Sequence, residues 1–158
     1  MKKTRYKEPY NKLGKTNFGF TENKSGVYLI KSKRTNKIVY VGYSGSNLYK
    51  TMYRHFQSWI DETQTRVTYN KTGYAVRVVF TTPKRASLLE RALIIKYEPK
   101  DNTRDKTDKL GRYVKKGFKR PTKMLRKKAT RKQITIPEKK VLDQYEKDSE
   151  WLEATNTK

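Results

Sequence analysis

Two tyrosines and one glutamate are the residues of this chain whose types and spacing best suit chemistry. Tyr28 ends a Gly-Val-Tyr triplet at 26–28, and Tyr40 begins a Tyr-Val-Gly triplet at 40–42. If the two triplets form a hairpin, both phenols lie on one small surface. Glu90 lies in a run of leucine, alanine and isoleucine, where an ionised carboxylate is costly to bury without a cation or a hydrogen-bonding partner. Glu90 should therefore be bound to a cation or to a hydrogen-bonding partner, and two phenols on one surface can hold a water molecule tightly.

Each of these residues also has a purely structural interpretation. Tyr28 and Tyr40 are then ordinary sheet aromatics with satisfied hydroxyl groups, in strands that the triplet glycines kink. Glu90 is then one half of an ion pair, or it accepts a hydrogen bond from a strand. A free phenol, with a pKa of about 10, is a poor base in water, but neighbouring lysines, arginines or a metal ion would favour its ionised form. The residues alone leave both interpretations open.

The composition points to a polyanionic partner. The chain of 158 residues carries a formal net charge of +24 at pH 7, and 34% of its residues are hydrophobic, so it can bury one modest core. Such a charge exceeds what solubility requires, and nucleic acid is the first candidate partner. The basic stretches lack a long amphipathic apolar face, which disfavours a membrane surface. Without a long apolar run or a signal peptide, we expect a cytoplasmic protein of a bacterium or a phage-infected cell.

The residue types that are missing restrict the possible metal sites. The chain has no cysteine, which excludes disulfides, thiolate zinc sites and cysteine nucleophiles. His55 is the single histidine, so a histidine-rich metal cage is also excluded. A bound metal ion must therefore use oxygen ligands, as Mg²⁺ does.

The elements that position these residues are predicted to form a small mixed three-stranded sheet flanked by helices, which is an α/β (α+β) fold. The predicted strands are 27–30, 38–41 and 74–80, and the predicted helices run from about 48 to 60 and from Pro83 to about Tyr97. The second helix is apolar around most of its circumference, so it must be buried on more than one side. Thr135 and Glu138 form a capping-box pattern that predicts a helix near the C-terminus.

Four features in this order resemble the GIY-YIG nuclease family over about residues 24–102. They are the two triplets, the basic and aromatic run from Asn47 to Phe56, the helix with Glu90, and the Pro-Lys-Asp-Asn sequence at 99–102. Each feature is weak alone, but the ordered set is fairly specific. The resemblance implies the GIY-YIG fold and a metal-dependent DNA endonuclease that hydrolyses phosphodiester bonds.

The resemblance also implies roles for individual residues. Glu90 would coordinate a single divalent ion, Mg²⁺ or Mn²⁺. Tyr28 would take a proton from the attacking water, with Tyr40 as its helper. Asn102 stands where the family has an asparagine that supports the geometry of the site, and a simple turn residue is the alternative interpretation.

The helix after the second triplet departs from the family pattern. Thr51 stands where the family commonly has an arginine, and Tyr43 replaces a frequent lysine. A different cation must then face the phosphate, and Arg54 is favoured over Lys50 because a guanidinium can bind two phosphate oxygens at once. His55 either assists through a hydrogen bond to the nucleophile or phosphate, or it is an ordinary half-buried helix residue.

The charge divides the chain into four predicted segments: a basic N-terminal arm (1–24), the nuclease-like domain (25–102), a basic nucleic-acid-binding extension (103–134) and a C-terminal amphipathic helix (135–158). The extension has fourteen lysines and arginines against two acidic residues. Such a segment is either a solvated disordered tail or an element that binds nucleic acid. The residues predicted to bind nucleic acid are Lys50, Arg112, Lys115, Lys116, Lys119, Arg120, Arg126, Lys127 and Lys128.

Two functions of different classes compete. The first is an endonuclease that acts on duplex or branched DNA, with RNA as a further possible partner and no membrane partner. The second is a DNA- or RNA-binding protein that keeps the fold but has lost much of the reaction, as Thr51 would allow. Retention of Tyr28, Tyr40, Glu90 and Asn102 together favours the enzyme, because a binding protein has no need of a carboxylate beside a polyanion.

Overall fold

The computed structural model of the protein describes residues 1–57, 67–102, 133–148 and 151–152, in which five strands form one sheet. The strands are β1 (Lys2–Thr4), β2 (Gly26–Ser32), β3 (Ile38–Ser44), β4 (Tyr74–Phe80) and β5 (Trp151–Leu152). They lie in the order β3-β2-β4-β1-β5, and all neighbours are antiparallel except β1 and β5. The described helices are α1 (Leu48–Tyr53), α2 (Pro83–Tyr97) and α3 (Ile136–Lys147), with 3₁₀ turns at Gly19–Thr21 and Arg54–Phe56. None of these helices is long and apolar enough to cross a membrane.

The predicted α+β fold is confirmed, and the sheet is larger than the three strands that the sequence indicated. β2, β3 and β4 are those three strands. β1 adds to the free side of β4, and Lys7 makes a further backbone bridge to Val76. A three-residue polar strand carries no hydrophobic alternation, so sequence patterning could not detect it. The segment 1–24 is thus joined to the folded domain, and its contact with DNA stays a prediction.

The first helix is shorter than predicted. The sequence pattern indicated a helix to about residue 60, but α1 ends at Tyr53 and continues only as a 3₁₀ turn to Phe56. After this tighter turn Gln57 is extended, and the backbone carbonyl of His55 accepts a hydrogen bond from Tyr69 N at 2.7 Å. The carbonyl thereby bonds to another segment, and the side chain of His55 leaves the regular helical spacing.

The sheet separates two apolar layers. Side chains of alternate strand residues, including Val27, Leu29 and Val41, pack against α2 and α3 on one face. Tyr28 and Ile30 point to the other face, where they pack with α1. The alternation along β2 therefore places the first triplet tyrosine on the α1 side of the sheet.

The last helix belongs to the core. Its predicted capping box is present, and Thr135 N donates to Glu138 Oε2 at 2.9 Å. The predicted helix over 135–158 was too long, because α3 ends at Lys147 and residues 151–152 pair with β1 as strand β5. Val141, Leu142 and Tyr145 are buried in the same apolar layer as α2, and Lys3 of β1 donates to the backbone oxygen of Tyr145 at 3.0 Å, so α3 packs beside α2 on this face of the sheet. The predicted burial of α2 on more than one side is confirmed. Truncation after residue 102 would remove this packing, so the role of 103–134 in DNA binding must be tested by substitution instead.

Candidate active site

The pairing of β2 with β3 brings the two triplet tyrosines together. Tyr28 pairs with Gly42, and Tyr40 pairs with Ile30 two positions along the strand. This diagonal arrangement puts both rings on one face, with centroids 6.1 Å apart and planes 26° from parallel. Tyr28 is buried at 2% exposure, whereas Tyr40 is half-buried. Tyr40 is therefore the phenol on the solvent side of the pair.

Neighbouring atoms lie too close to Gly26 and Gly42 to leave room for a side chain at either position. A Cβ at Gly42 would lie 2.4 Å from Tyr28 Oη and 2.9 Å from Tyr40 Cε1. A Cβ at Gly26 would lie 2.1 Å from the backbone oxygen of Val79. Gly42 thus makes room for the Tyr28 hydroxyl, and Gly26 lets β2 and β4 approach each other. The earlier interpretation of these glycines as strand kinks is not needed.

His55 lies in hydrogen-bonding contact with the buried phenol. Its Nε2 is 2.9 Å from Tyr28 Oη, and its Nδ1 is 2.7 Å from the carbonyl oxygen of Val67. Because a carbonyl only accepts, Nδ1 carries a hydrogen, and in the neutral imidazole Nε2 must accept from the Tyr28 hydroxyl. The ring of His55 also lies 4.5 Å from that of Tyr40. The imidazole is thus placed to receive the phenol proton of Tyr28.

The surroundings of Tyr28 keep its phenol protonated at neutral pH. Burial raises the pKa of Tyr28 well above its usual value, and the neighbouring Tyr40 phenol and the Glu90 carboxylate raise it further. The sequence-based expectation that lysines and arginines would favour the phenolate is therefore wrong for the described surroundings. Loss of the Tyr28 proton requires a base, and the imidazole of His55 is in hydrogen-bonding contact with the Tyr28 hydroxyl.

Glu90 lies within electrostatic reach of the buried phenol. It is half-buried on α2, which packs along β3 on the face of the sheet opposite Tyr28, and its charge is close enough to raise the pKa of Tyr28. Among the described residues, no group of three histidine, aspartate or glutamate side chains could hold a metal ion. Within the described ranges, the candidate donor in electrostatic reach of Tyr28 is therefore the single carboxylate of Glu90. A single carboxylate fits Mg²⁺, which keeps several waters and often uses one or two carboxylates together with substrate phosphate.

Asn102 fixes the strand that carries Tyr40. Its Oδ1 accepts from Val41 N at 2.8 Å, and its Nδ2 donates to Val41 O at 2.7 Å. One residue earlier, Asp101 N donates to Val39 O at 3.1 Å. Asn102 thus acts as a one-residue strand partner on the open edge of β3, on both sides of the Val41 peptide. Its contacts hold Tyr40 in place and do not involve the reacting groups.

Sequence reasoning missed two residues beside this cluster. The ring of Tyr69 lies 6.1 Å from His55, and its hydroxyl donates to Asp101 Oδ2 at 2.7 Å. Burial, followed by the hydrogen bond to Asp101, raises the pKa of Tyr69. Asp101 could have been found because it adjoins Asn102 in the matched motif. Nothing in the sequence distinguishes Tyr69 from the other tyrosines that lie outside the two triplets.

The cations near α1 lie at a separate cavity. Thr51, at the position expected for an arginine, donates its hydroxyl to the backbone oxygen of Asn47 at 3.0 Å. Lys50 and Arg54 line a cavity of about 450 Å³ together with Tyr49 and other residues of the α1 region. That Arg54 faces the tyrosines and Glu90 stays a prediction. The remaining predicted nucleic-acid-binding residues lie outside the described ranges: Arg112, Lys115, Lys116, Lys119, Arg120, Arg126, Lys127 and Lys128.

A substitution at Gly42 tests the close contact with Tyr28. We expect Gly42→Ala to displace the Tyr28 hydroxyl from His55 and to slow phosphodiester cleavage about a hundredfold, because a misplacement of about 1 Å can have that effect. Overpacking should cost about 1–3 kcal/mol in the free energy of unfolding. Single-turnover cleavage and urea denaturation would measure the two effects.

Gly45→Ala is the matched control, since a Cβ there would meet only Pro83 Cβ at 3.6 Å, an ordinary contact. An equal loss of rate in both variants would show that the contact between position 42 and Tyr28 is not the cause.

The comparison with known families agrees with this arrangement. The family described as the GIY-YIG catalytic domain matches residues 24–105, which is more than half of the 158-residue chain. No curated protein matched the sequence. The matched range includes the hairpin with Tyr28 and Tyr40, the α1 region and the helix with Glu90. The chain therefore belongs to the GIY-YIG family, whose catalytic domain has a nuclease-type fold.

Proposed function

We propose that this protein is a metal-dependent DNA endonuclease that hydrolyses phosphodiester bonds at the cluster of Tyr28, Tyr40, His55 and Glu90. The observation that supports it most is the hydrogen-bonded path from Tyr28 Oη through His55 to the carbonyl of Val67, beside the Glu90 carboxylate. A path of this kind moves a proton away from a nucleophile. A purely structural role would require only that the buried Tyr28 hydroxyl be paired, whereas catalysis would use the same hydrogen bonds to move its proton.

The attacking water is activated by the two phenols and the imidazole. Tyr40, which is the more exposed phenol, positions the water beside Tyr28. Tyr28 accepts a proton from the water while its own proton passes to His55 Nε2. The resulting imidazolium keeps both hydrogen bonds, because Nδ1–H still donates to Val67 O and Nε2–H now donates to Tyr28 Oη. The water oxygen forms the new bond to phosphorus as the bond to the leaving oxygen breaks.

Glu90 is the residue that would hold a divalent cation, Mg²⁺ or Mn²⁺. When bound, such an ion neutralises charge on the phosphate and favours deprotonation of water. The half-buried position of Glu90 limits its access to water, which strengthens its attraction for a cation. Its negative charge beside Tyr28 also favours a protonated phenol until a cation binds.

A second cation must face the charge that develops on the phosphate. We assign this role to Arg54, with Lys50 as the alternative, because a guanidinium stays charged and binds two oxygens at once. Both residues line the cavity beside α1, whose lining does not include Tyr28, Tyr40 or Glu90, so the role requires one of these side chains to turn toward the substrate. Thr51 cannot take the role, since it has no charge and its hydroxyl donates to the helix backbone.

The proposed substrate is DNA, duplex or branched, with RNA as a possible further partner. The net charge of +24 supports a polyanion, and the basic extension at 103–134 is proposed to bind phosphates along its length.

The competing function is a nucleic-acid-binding protein that keeps the fold without the reaction, and the neutral Thr51 is the observation that favours it. Incubation of the purified protein with supercoiled plasmid and Mg²⁺ or Mn²⁺ decides between the two. The endonuclease converts the plasmid to nicked or linear DNA, and the conversion stops with EDTA and in Glu90→Gln. Binding without conversion in either metal would establish the competing function.

A further inference from the structure

A second cavity lies at the end of the sheet nearest the β2–β3 turn. It has a volume of about 850 Å³ and is lined by three segments: the β2–β3 turn, the turn that precedes β4, and the end of α2. The predicted binding residues do not include any of its side chains. Three of them, Arg34, Lys37 and Lys100, are exposed cations, and Glu98 is the one acidic residue in the lining.

Backbone hydrogen bonds join the three segments. Lys33 N in the first turn donates to Gly73 O in the second at 3.0 Å. Asn70 Oδ1 accepts from Gly73 N at 2.6 Å, which closes the second turn on itself. After α2, Asp101 N donates to Val39 O at 3.1 Å and holds the third segment against β3. The walls of the cavity are therefore set before any ligand arrives, which lowers the entropy cost of binding.

A row of aromatic rings connects this cavity with the active-site cluster. Tyr40 and His55 lie 4.5 Å apart, His55 and Tyr69 lie 6.1 Å apart, and Tyr69 and Tyr74 lie 4.6 Å apart between ring centroids. Tyr74 is itself part of the cavity lining, as is the half-exposed Tyr97. The row spans at most about 15 Å, which is on the order of four nucleotides at ~3.4 Å per nucleotide of one duplex strand.

We propose that this cavity binds the sugar-phosphate backbone of the substrate strand a few nucleotides from the bond that is cleaved. Arg34, Lys37 and Lys100 contact phosphates, and the hydroxyl and amide side chains of Ser32 and Asn36 supply further hydrogen-bond donors. This inference rests on the proposed function for the direction of the strand toward the tyrosines. It assigns a fixed binding site on the folded domain, distinct from the basic extension.

The cavity should bind a strand of any nucleotide sequence, because contacts to phosphates do not read the bases. They position the strand instead, so that the bond to be cleaved meets Tyr28 and Tyr40. The alternative ligand with the same chemistry is free phosphate or a mononucleotide. If the cavity binds such a small ligand instead of DNA, substitution of its cations would leave the binding of long DNA unaffected.

The test compares two variants with the same change in charge. The cavity variant is R34Q/K37Q/K100Q. The control variant is K84Q/K139Q/K140Q, whose three lysines are exposed at the beginnings of α2 and α3. The C-terminal ends of α2 and α3 lie together, since Lys96 pairs with Glu146. Lys84, at the opposite end of α2, is separated from the cavity by the length of that helix, about 20 Å. Both are made in the full chain with Glu90→Gln and without metal, so that binding is measured apart from cleavage.

Fluorescence anisotropy of a labelled duplex at several salt concentrations gives the affinity and its salt dependence. We expect the cavity variant to lose at least tenfold in affinity and about 2–3 units in the log–log salt slope, because each lost phosphate contact lowers the slope by about 0.9. The control should lose less than one unit. The conservative variant R34K/K37R/K100R should restore the slope, and thermal melting checks that each protein is folded.

Three outcomes overturn the inference: an unchanged slope in the cavity variant, an equal loss in the control, or competition by inorganic phosphate without any effect on duplex binding. If the triple substitution unfolds the protein, each single substitution should still lower the slope by about 0.9. A wild-type protein that cleaves nothing, together with a lowered slope in the cavity variant, would remove the proposed endonuclease and leave the binding site in place.

Discussion

We expect the replacement of Glu90 by alanine to abolish the proposed cleavage and to leave the affinity for DNA unchanged or higher. The Glu90 carboxylate is within electrostatic reach of Tyr28 and is the group proposed to hold the divalent cation, so its loss should remove that ion. Its loss also removes a negative charge that faces the phosphates of the substrate. The cleavage rate should fall at least a thousandfold in Mg²⁺, on the scale of losing a metal-ion contribution of several kcal/mol. Single-turnover cleavage and anisotropy measure the rate and the affinity separately.

Glu8→Ala is the matched control for this prediction. Glu8 is exposed and pairs with Lys33 at the surface, where an ion pair contributes little to stability. The same loss of charge at Glu8 should leave the rate within about threefold of wild type. Cleavage by Glu90→Ala at the wild-type rate would remove Glu90 from the site.

The pH dependence of cleavage should differ between the wild type and His55→Ala. If His55 receives the Tyr28 proton in the wild type, as proposed, the rate should rise with pH until the imidazole is neutral and then level off. Without His55, the phenolate must form by ionisation to solvent, and burial holds the pKa of Tyr28 well above its usual value. The rate of His55→Ala should therefore rise about tenfold per pH unit through about pH 9 without levelling off.

At neutral pH this variant should be about a hundredfold to ten-thousandfold slower, the usual contribution of a positioned base. Rates measured from pH 6 to 9 at saturating Mg²⁺ would show both effects. A His55→Ala profile that levels off with the wild type would exclude His55 as the proton acceptor.

The sequence predicted the elements that carry strong local signals. The β-strands of the hairpin, β4, the long α2 and the capped α3 all follow from apolar periodicity or from capping residues such as Thr135 and Glu138. β1 was missed because three polar residues gain strand structure only from their partner β4. The early end of α1 was missed because the competing hydrogen bond comes from Tyr69, which lies fourteen residues after His55 in the chain.

The sequence identified most of the candidate site residues, but it did not predict the hydrogen bonds and packing that connect them. Spacing placed Tyr28 and Tyr40 on one surface, and the ordered motif singled out Glu90, His55 and Asn102. The contact of His55 with Tyr28 depends on the 3₁₀ turn after α1, which no local pattern indicates. Similarly, the effect of burial on the pKa of Tyr28 depends on the packing of two layers and cannot be read from neighbours in sequence.

A double-mutant cycle of Tyr28→Phe and His55→Ala tests the central claim most directly. If the two residues act as one path for the proton of the attacking water, either substitution alone interrupts it, and the double variant should be within about threefold of the slower single variant. The measurement is the single-turnover rate on a labelled duplex with saturating Mg²⁺, with binding confirmed for every protein. A double variant whose loss is the product of the two single losses, or a wild-type protein that cleaves with neither Mg²⁺ nor Mn²⁺, would contradict the account.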